Sequence, residues 1–115
     1  MAITITEKTA PEWFTPESET EEEQPAQFHI TPLNQVQVNE VLPEVDQESG
    51  VFSGRGVQTL LRYGLRDWKN ILDEQGKEVP FRYGRLTRVP FDVQQEVASR
   101  IFEISVLTEA ERKNS

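Results

Sequence analysis

The side chains able to do chemistry in this chain are one histidine, twenty carboxylates and no cysteine. Without thiols, disulfides and thiolate metal sites are excluded. A single His29 cannot assemble the usual nucleophilic triads or zinc sites; between Phe28 and Ile30 it reads as an exposed strand residue. The segment "LDEQGKE", residues 72–78, resembles a calcium loop. It lacks the alternating Asp/Asn ligands before its glycine and the Glu that would close the ring. Ordinary turn chemistry explains Asp73 and Gly76 instead. Glu21 to Glu23 offer weak cation attraction without a coordination geometry. Gly54-x-Gly56 is followed by Thr59 where a dinucleotide fingerprint needs Gly or Ala. It reads as a flexible lead into a helix, with an anion held by free N–H groups and Arg55 as the alternative. No catalytic residue, cofactor site or metal site follows, and the expectation is a protein that is not an enzyme.

Residues suited to binding are more numerous. Residues 1–27 carry seven Glu against Lys8, a net of -6 out of the total -8. From Ser49 to Arg88 the balance reverses, with eight basic and four acidic residues, or +4. Arg55, Arg62, Arg66 and Lys69 would share one face if a single helix carried them all, with Tyr63, Trp68 and Tyr83 interleaved. Such a pattern brings nucleic acid to mind. The overall negative charge argues against it, because a phosphate field acts on the whole molecule. A solvated face, or one that meets the chain's own acidic segment or an acidic partner, fits better. In "APEWFTP", Trp13 and Phe14 form an aromatic pair within a polar stretch. They either pin that stretch to the domain or act as a linear motif that orders on a partner.

The elements that must position these residues follow from periodicity and punctuation. The like-charged, poorly hydrophobic residues 1–27 are expected to be a disordered acidic arm. Residues 28–115 form one domain. Phe28 and Ile30 alternate as in a short strand. Thr31-Pro32 suggests an N-cap and first turn for a helix running to about Leu42, before Pro43. Ser53 caps a second helix with the stripe Val57, Leu60, Leu61, ending at Gly64 in a left-handed position. "RDWKNI" adds a helical turn. Ile71-Leu72 and Val79-Pro80-Phe81 read as two short arms of a hairpin around a Gly turn. Pro90 and Asp92 open an amphipathic helix with Val93, Val97, Ile101, Ile104 and Leu107 on one stripe, widened by Phe102 and Val106. Thr108 and Glu111 match a capping box for a last turn. The predicted fold is mainly α, with three to four helices and a minor strand and hairpin. The N-terminus lacks a basic and then apolar leader, and no apolar run nears the roughly 20 residues needed to span a bilayer. The cytoplasm is the expected compartment.

In order, "FHITPL", "LLRYGLRDWKNILDEQGKEVPF" and "LTRVPFDVQQEVASRIFEISVLTEAERKN" resemble the tail assembly chaperones of long-tailed bacteriophages. The likeness runs from about Phe28 to Asn114. Ile30 stands where that family's pattern has Leu, and Val89-Pro90 where it has Leu-Pro. The resemblance implies a non-enzymatic protein of the host cytoplasm, absent from the mature virion. It would bind the tape measure protein, keep it soluble, and give way to tail tube protein subunits. A longer frameshifted form occurs in some members, and homo-oligomerisation is left open. Under that reading Leu60, Leu61 and Leu65, with Trp68 and Phe81, would supply an apolar surface for a helical client. The competing readings are an acidic inhibitor or DNA mimic directed at a host protein, and a minor virion component of a tail or head–tail junction.

Overall fold

In the computed structural model, which describes residues 10–46 and 48–106, the alternating segment Gln27–Ile30 is the centre of a three-stranded antiparallel sheet. Its neighbours are β1 (Glu12–Phe14) and β3 (Leu65–Lys69), with Gln27–Ile30 as β2. Phe28 and Ile30 point inward and are buried, while Gln27 and His29 face outward. The described residues also form the α-helices α1 (Gln35–Val41), α2 (Gly54–Gly64) and α3 (Phe91–Val106), with short 3-10 turns at Glu17–Glu19, Leu42–Glu44 and Tyr83–Arg88. Helix makes up about 48% and strand 17% of the described residues, so the fold is α+β and not the mainly α domain expected. The two strands missed in the sequence account for the difference.

The first lies inside the acidic segment. Trp13 pairs with His29 and Phe14 with Phe28, so β1 is an edge strand of the sheet. Two side chains one helical turn apart on α3 hold this stretch down. Arg100 pairs with the Glu12 carboxylate at 3.0 Å, and Glu96 accepts the backbone N–H of Glu17 at 2.7 Å. Partial burial would disfavour the Arg100 charge, but Glu12 and Glu103 beside it outweigh that, and its pKa is raised. Residues 10–27 therefore dock on the domain, which corrects the expectation of a disordered arm for that part. The rest of the arm, residues 1–9, lies outside the described residues. So do Leu107 and the 108–111 capping box.

The second missed strand is β3, expected as a helical turn. Leu65 and Trp68 are three apart and both buried, a spacing that mimics a helix face. A register shift opposite His29 and Ile30 leaves Arg66 as an extra residue in β3. Such a bulge lets residues three apart share one face of a strand.

Helix boundaries follow local capping. Asn34, rather than Thr31, caps α1. Its side chain accepts from Gln37 N, and the Gln37 side chain accepts from Asn34 N. Thr31 N instead donates to the Gly64 carbonyl. Ser53 caps α2 as expected, accepting from Gly56 N at 3.1 Å. Val57, Leu60 and Leu61 of α2 meet Val97, Ala98, Ile101 and Ile104 of α3, and Phe28, Ile30 and Trp68 close the core from the sheet. Gly64 is the last residue of α2, without the left-handed backbone expected there. It is glycine for a different reason. A Cβ would run into Ile101 Cγ2 and lie 3.0 Å from its Cδ1.

Ser105 is buried within this apolar layer. Its hydroxyl donates to the Ile101 carbonyl and accepts from Leu33 N at 2.8 Å, tying the end of α3 to the β2–α1 connection. Ser105→Ala should destabilise by about 1–3 kcal/mol, because the buried Leu33 N–H loses its acceptor. Chemical denaturation reads this directly.

In the loop after α1, Asp46 accepts from Glu48 N at 3.0 Å. That backbone N–H, helped by the Ser49 hydroxyl, holds the carboxyl below the ordinary Asp value of 3.8. A depressed folded value stabilises the loop above that pH, and the contribution is lost as pH falls through the lowered value. The protection of the Glu48 amide, its exchange rate relative to an unstructured amide at the same pH, should be lost in acid before the core opens. Asp46→Ala, which removes the acceptor, should lower that protection at neutral pH.

Candidate binding groove

The chain leaves β3 at Asn70, whose positive φ of 61° Asn tolerates better than most side chains. Asn70 Nδ2 donates to the Pro25 carbonyl at 2.9 Å, fixing the direction of exit. The expected hairpin follows, narrower than a ladder. It has one bridge, Leu72 to Glu78, and a Val79 N to Ile71 O bond of 2.7 Å. Asp73 organises its turn by accepting from Gln75 N and Lys77 N, both at 2.9 Å. These are the turn contacts that its sequence suggested. Trp68 clips the hairpin to the domain, its indole N–H donating to the Val79 carbonyl at 2.7 Å.

From there an edge-to-face aromatic series runs outward: Phe28, Trp68, Phe81 and Tyr83, at centroid distances of 6.4, 5.0 and 5.1 Å. The Tyr83 hydroxyl reaches the carbonyls of Arg62 and Leu65 at 3.0 and 2.9 Å, anchoring the 3-10 turn Tyr83–Arg88 beside the end of α2. Gln94 of α3 donates to the Leu86 and Val89 carbonyls and fixes the other end of that turn. Between the hairpin, this turn, the start of α3 and the docked acidic segment lies an open groove of about 1120 Å³. Phe28, Trp68, Ile71, Val79, Val89 and Val93 give it an apolar lining. Leu72 stands at its edge, 61% exposed.

No family model, curated protein or solved structure matches the chain.

The residues singled out in the sequence are distributed differently from the expectation. Leu60, Leu61 and Leu65 are at most 1% exposed, so they hold the core together and offer no surface to a partner. Trp68 is also buried and contributes to the groove from below; Phe81 is half-buried against it. Trp13 and Phe14 fall on opposite faces of β1. Phe14 packs on the core. Trp13 lies on the outer face, its ring 4.9 Å from that of His29 and 4.5 Å from Lys69 Nζ. The pinning reading fits this placement, and the sheet supplies the reason, since neighbours along a strand point oppositely. Arg55 and Arg62 lie exposed on α2, whereas Arg66 sits in the β3 bulge, so the continuous basic helix face does not exist.

Of the Gly54-x-Gly56 pair, Gly56 serves packing, whereas a Cβ on Gly54 would meet nothing within 4 Å. A Cβ on Gly56 would come within 2.9 Å of Glu44 Cβ. The Glu44 carboxylate also accepts from the Ser53 hydroxyl and brings a negative charge to the start of α2, which disfavours an outside anion there. Among the described residues, no three His, Cys, Asp or Glu side chains converge as metal ligands. None of the described helices is long and apolar enough to cross a membrane.

Arg85 and Arg88, counted in the basic stretch but not singled out, line the groove. Their signal in the sequence was the three-residue spacing of "RYGRLTR", residues 82–88.

Proposed function

We propose that this protein is a non-enzymatic chaperone of phage tail assembly, which holds a helical stretch of the tape measure protein in the groove between the hairpin and α3. The observation that carries the reading is the groove itself, apolar inside, open to solvent, and about 1120 Å³ in volume. A two-turn stretch of α-helix, about 10 Å across and 11 Å long, occupies roughly 850 Å³. A long helical protein with unburied apolar faces aggregates unless those faces are covered. An amphipathic helix laid in a groove is a recurring way to cover them. The resemblance in segment order from Phe28 to Asn114 supports the identity of the client. In this account the protein acts in the host cytoplasm, yields its client to tail tube subunits, and is absent from finished particles.

Co-expression with the tape measure protein of the same phage tests the proposal. The wild-type chain should keep that client soluble and co-purify with it. Leu72→Asp, at an exposed rim position, should leave the fold intact and weaken the complex by about tenfold or more, because a charge enters an apolar contact. A client that stays insoluble, with no complex recovered, contradicts the proposal.

A further inference from the structure

The groove's charges are unequally engaged. Three acidic residues line it: Glu19, Asp73 and Glu74. Glu19 accepts from Ala26 N at 2.8 Å, and Asp73 accepts two backbone N–H groups of its own turn. Each uses one carboxylate oxygen this way and keeps its charge, but Glu19, Asp73 and Glu74 belong to the docked acidic segment and the hairpin, not to the turn that carries the arginines. The two basic residues, Arg85 and Arg88, are exposed and have no ion pair or side-chain hydrogen bond among the described residues. Both belong to the 3-10 turn Tyr83–Arg88, held at one end by Tyr83 and at the other by Gln94.

Side chains three apart on a 3-10 helix are eclipsed, with a rise of about 2.0 Å per residue, so Arg85 and Arg88 leave the backbone in one row about 6 Å apart. On an α-helix, residues i and i+4 share a face and are separated along the axis by about 6 Å. Two carboxylates at that spacing match two guanidiniums at this one. Guanidinium is also the cation best suited to pairing with carboxylate at an interface.

We infer that the groove selects an amphipathic helix whose apolar stripe is bordered by Asp or Glu at positions i and i+4, with Arg85 and Arg88 reading that acidic edge. The inference rests on the groove being a helix-binding site and adds what distinguishes one helix from another. The apolar lining supplies contact without sense of direction, and the arginine pair on one wall fixes which edge of the helix lies against it.

The test uses the full chain and two synthetic amphipathic peptides with the same Leu/Ala stripe. One carries Glu at the i and i+4 edge positions, and the other Lys. Fluorescence anisotropy at low salt should show the Glu-edged peptide binding about tenfold more tightly, as expected of two partly exposed charge pairs. The preference should narrow as salt is raised. The Arg85→Glu/Arg88→Glu double variant should reverse it, and both positions are exposed, so the fold is expected to survive. Equal binding of the two peptides, unchanged in the double variant, overturns the inference while leaving the groove reading in place. Binding of neither peptide overturns the groove reading as well. Self-association of the chain that the double variant abolishes identifies a second copy as the occupant, and overturns the inference too.

Discussion

Trp68→Ala is expected to destabilise the protein by about 3–5 kcal/mol and to release the hairpin that forms one side of the groove. The first effect follows from deleting a large aromatic that is 5% exposed and packs edge-on against Phe28 and Phe81. The second follows from how little else holds the hairpin. It has one bridge, and the Trp68 N–H to Val79 carbonyl bond is its clip to the sheet. Amide exchange across residues 71–79 should therefore accelerate more than exchange in α2. Trp68→Phe separates the two effects. It keeps most of the packing but leaves the Val79 carbonyl without its donor, and should cost about 1–3 kcal/mol. The emission change on denaturation should shrink in both variants, since the remaining Trp13 is already 41% exposed. A loss below about 1 kcal/mol in Trp68→Ala would mean that the indole is not the clip.

Gly64→Ala is the second large effect, and helix propensity alone predicts the opposite sign. Replacing glycine by alanine in a helix ordinarily stabilises by up to about 1 kcal/mol. Here the added methyl meets three side-chain carbons of Ile101 on α3. Ile101 is fully buried and has no space to retreat into without moving its neighbours. Overpacking of this kind costs about 1–3 kcal/mol, and with so direct a collision we expect the upper half of that range. Ile101→Ala by itself should cost about 2–5 kcal/mol through the cavity it leaves. The double variant should be distinctly more stable than the sum of the two singles, because the new methyl occupies part of that cavity. Additive effects would show that the two positions do not touch.

How far the fold could be read from the sequence depended on whether the signal was local. The Ser53 cap of α2 and the stripe from Val93 to Ile104 in α3 are properties of neighbouring residues, and both elements formed close to where they were expected. The β3 strand was misread because its bulge puts Leu65 and Trp68 on one face at a helical spacing. The Glu-rich composition around it hid β1, yet the clamp from Arg100 and Glu96 comes from more than 75 residues away and is invisible in a window. The same applied to Gly64, whose partner Ile101 is a long-range neighbour. The groove was the least legible feature of all. Its lining is drawn from separate segments between Pro16 and Val93, so no single stretch announces it. The hairpin's two short arms and Gly turn were legible because they are local. That Trp68 supports the groove from below while Leu72 meets solvent at its edge required the fold.

The most direct measurement uses the absence of cysteine from the chain. Leu72→Cys places one reactive thiol at the groove rim, and Val36→Cys, on α1 at a site 70% exposed, places one outside the groove. Each variant is labelled with a polarity-sensitive dye and titrated with helical fragments of the tape measure protein proposed as client. On binding, a blue shift and loss of quencher access are expected at position 72, with position 36 unchanged. A complex that forms while position 72 stays as accessible as in the free protein would contradict the groove as the binding site.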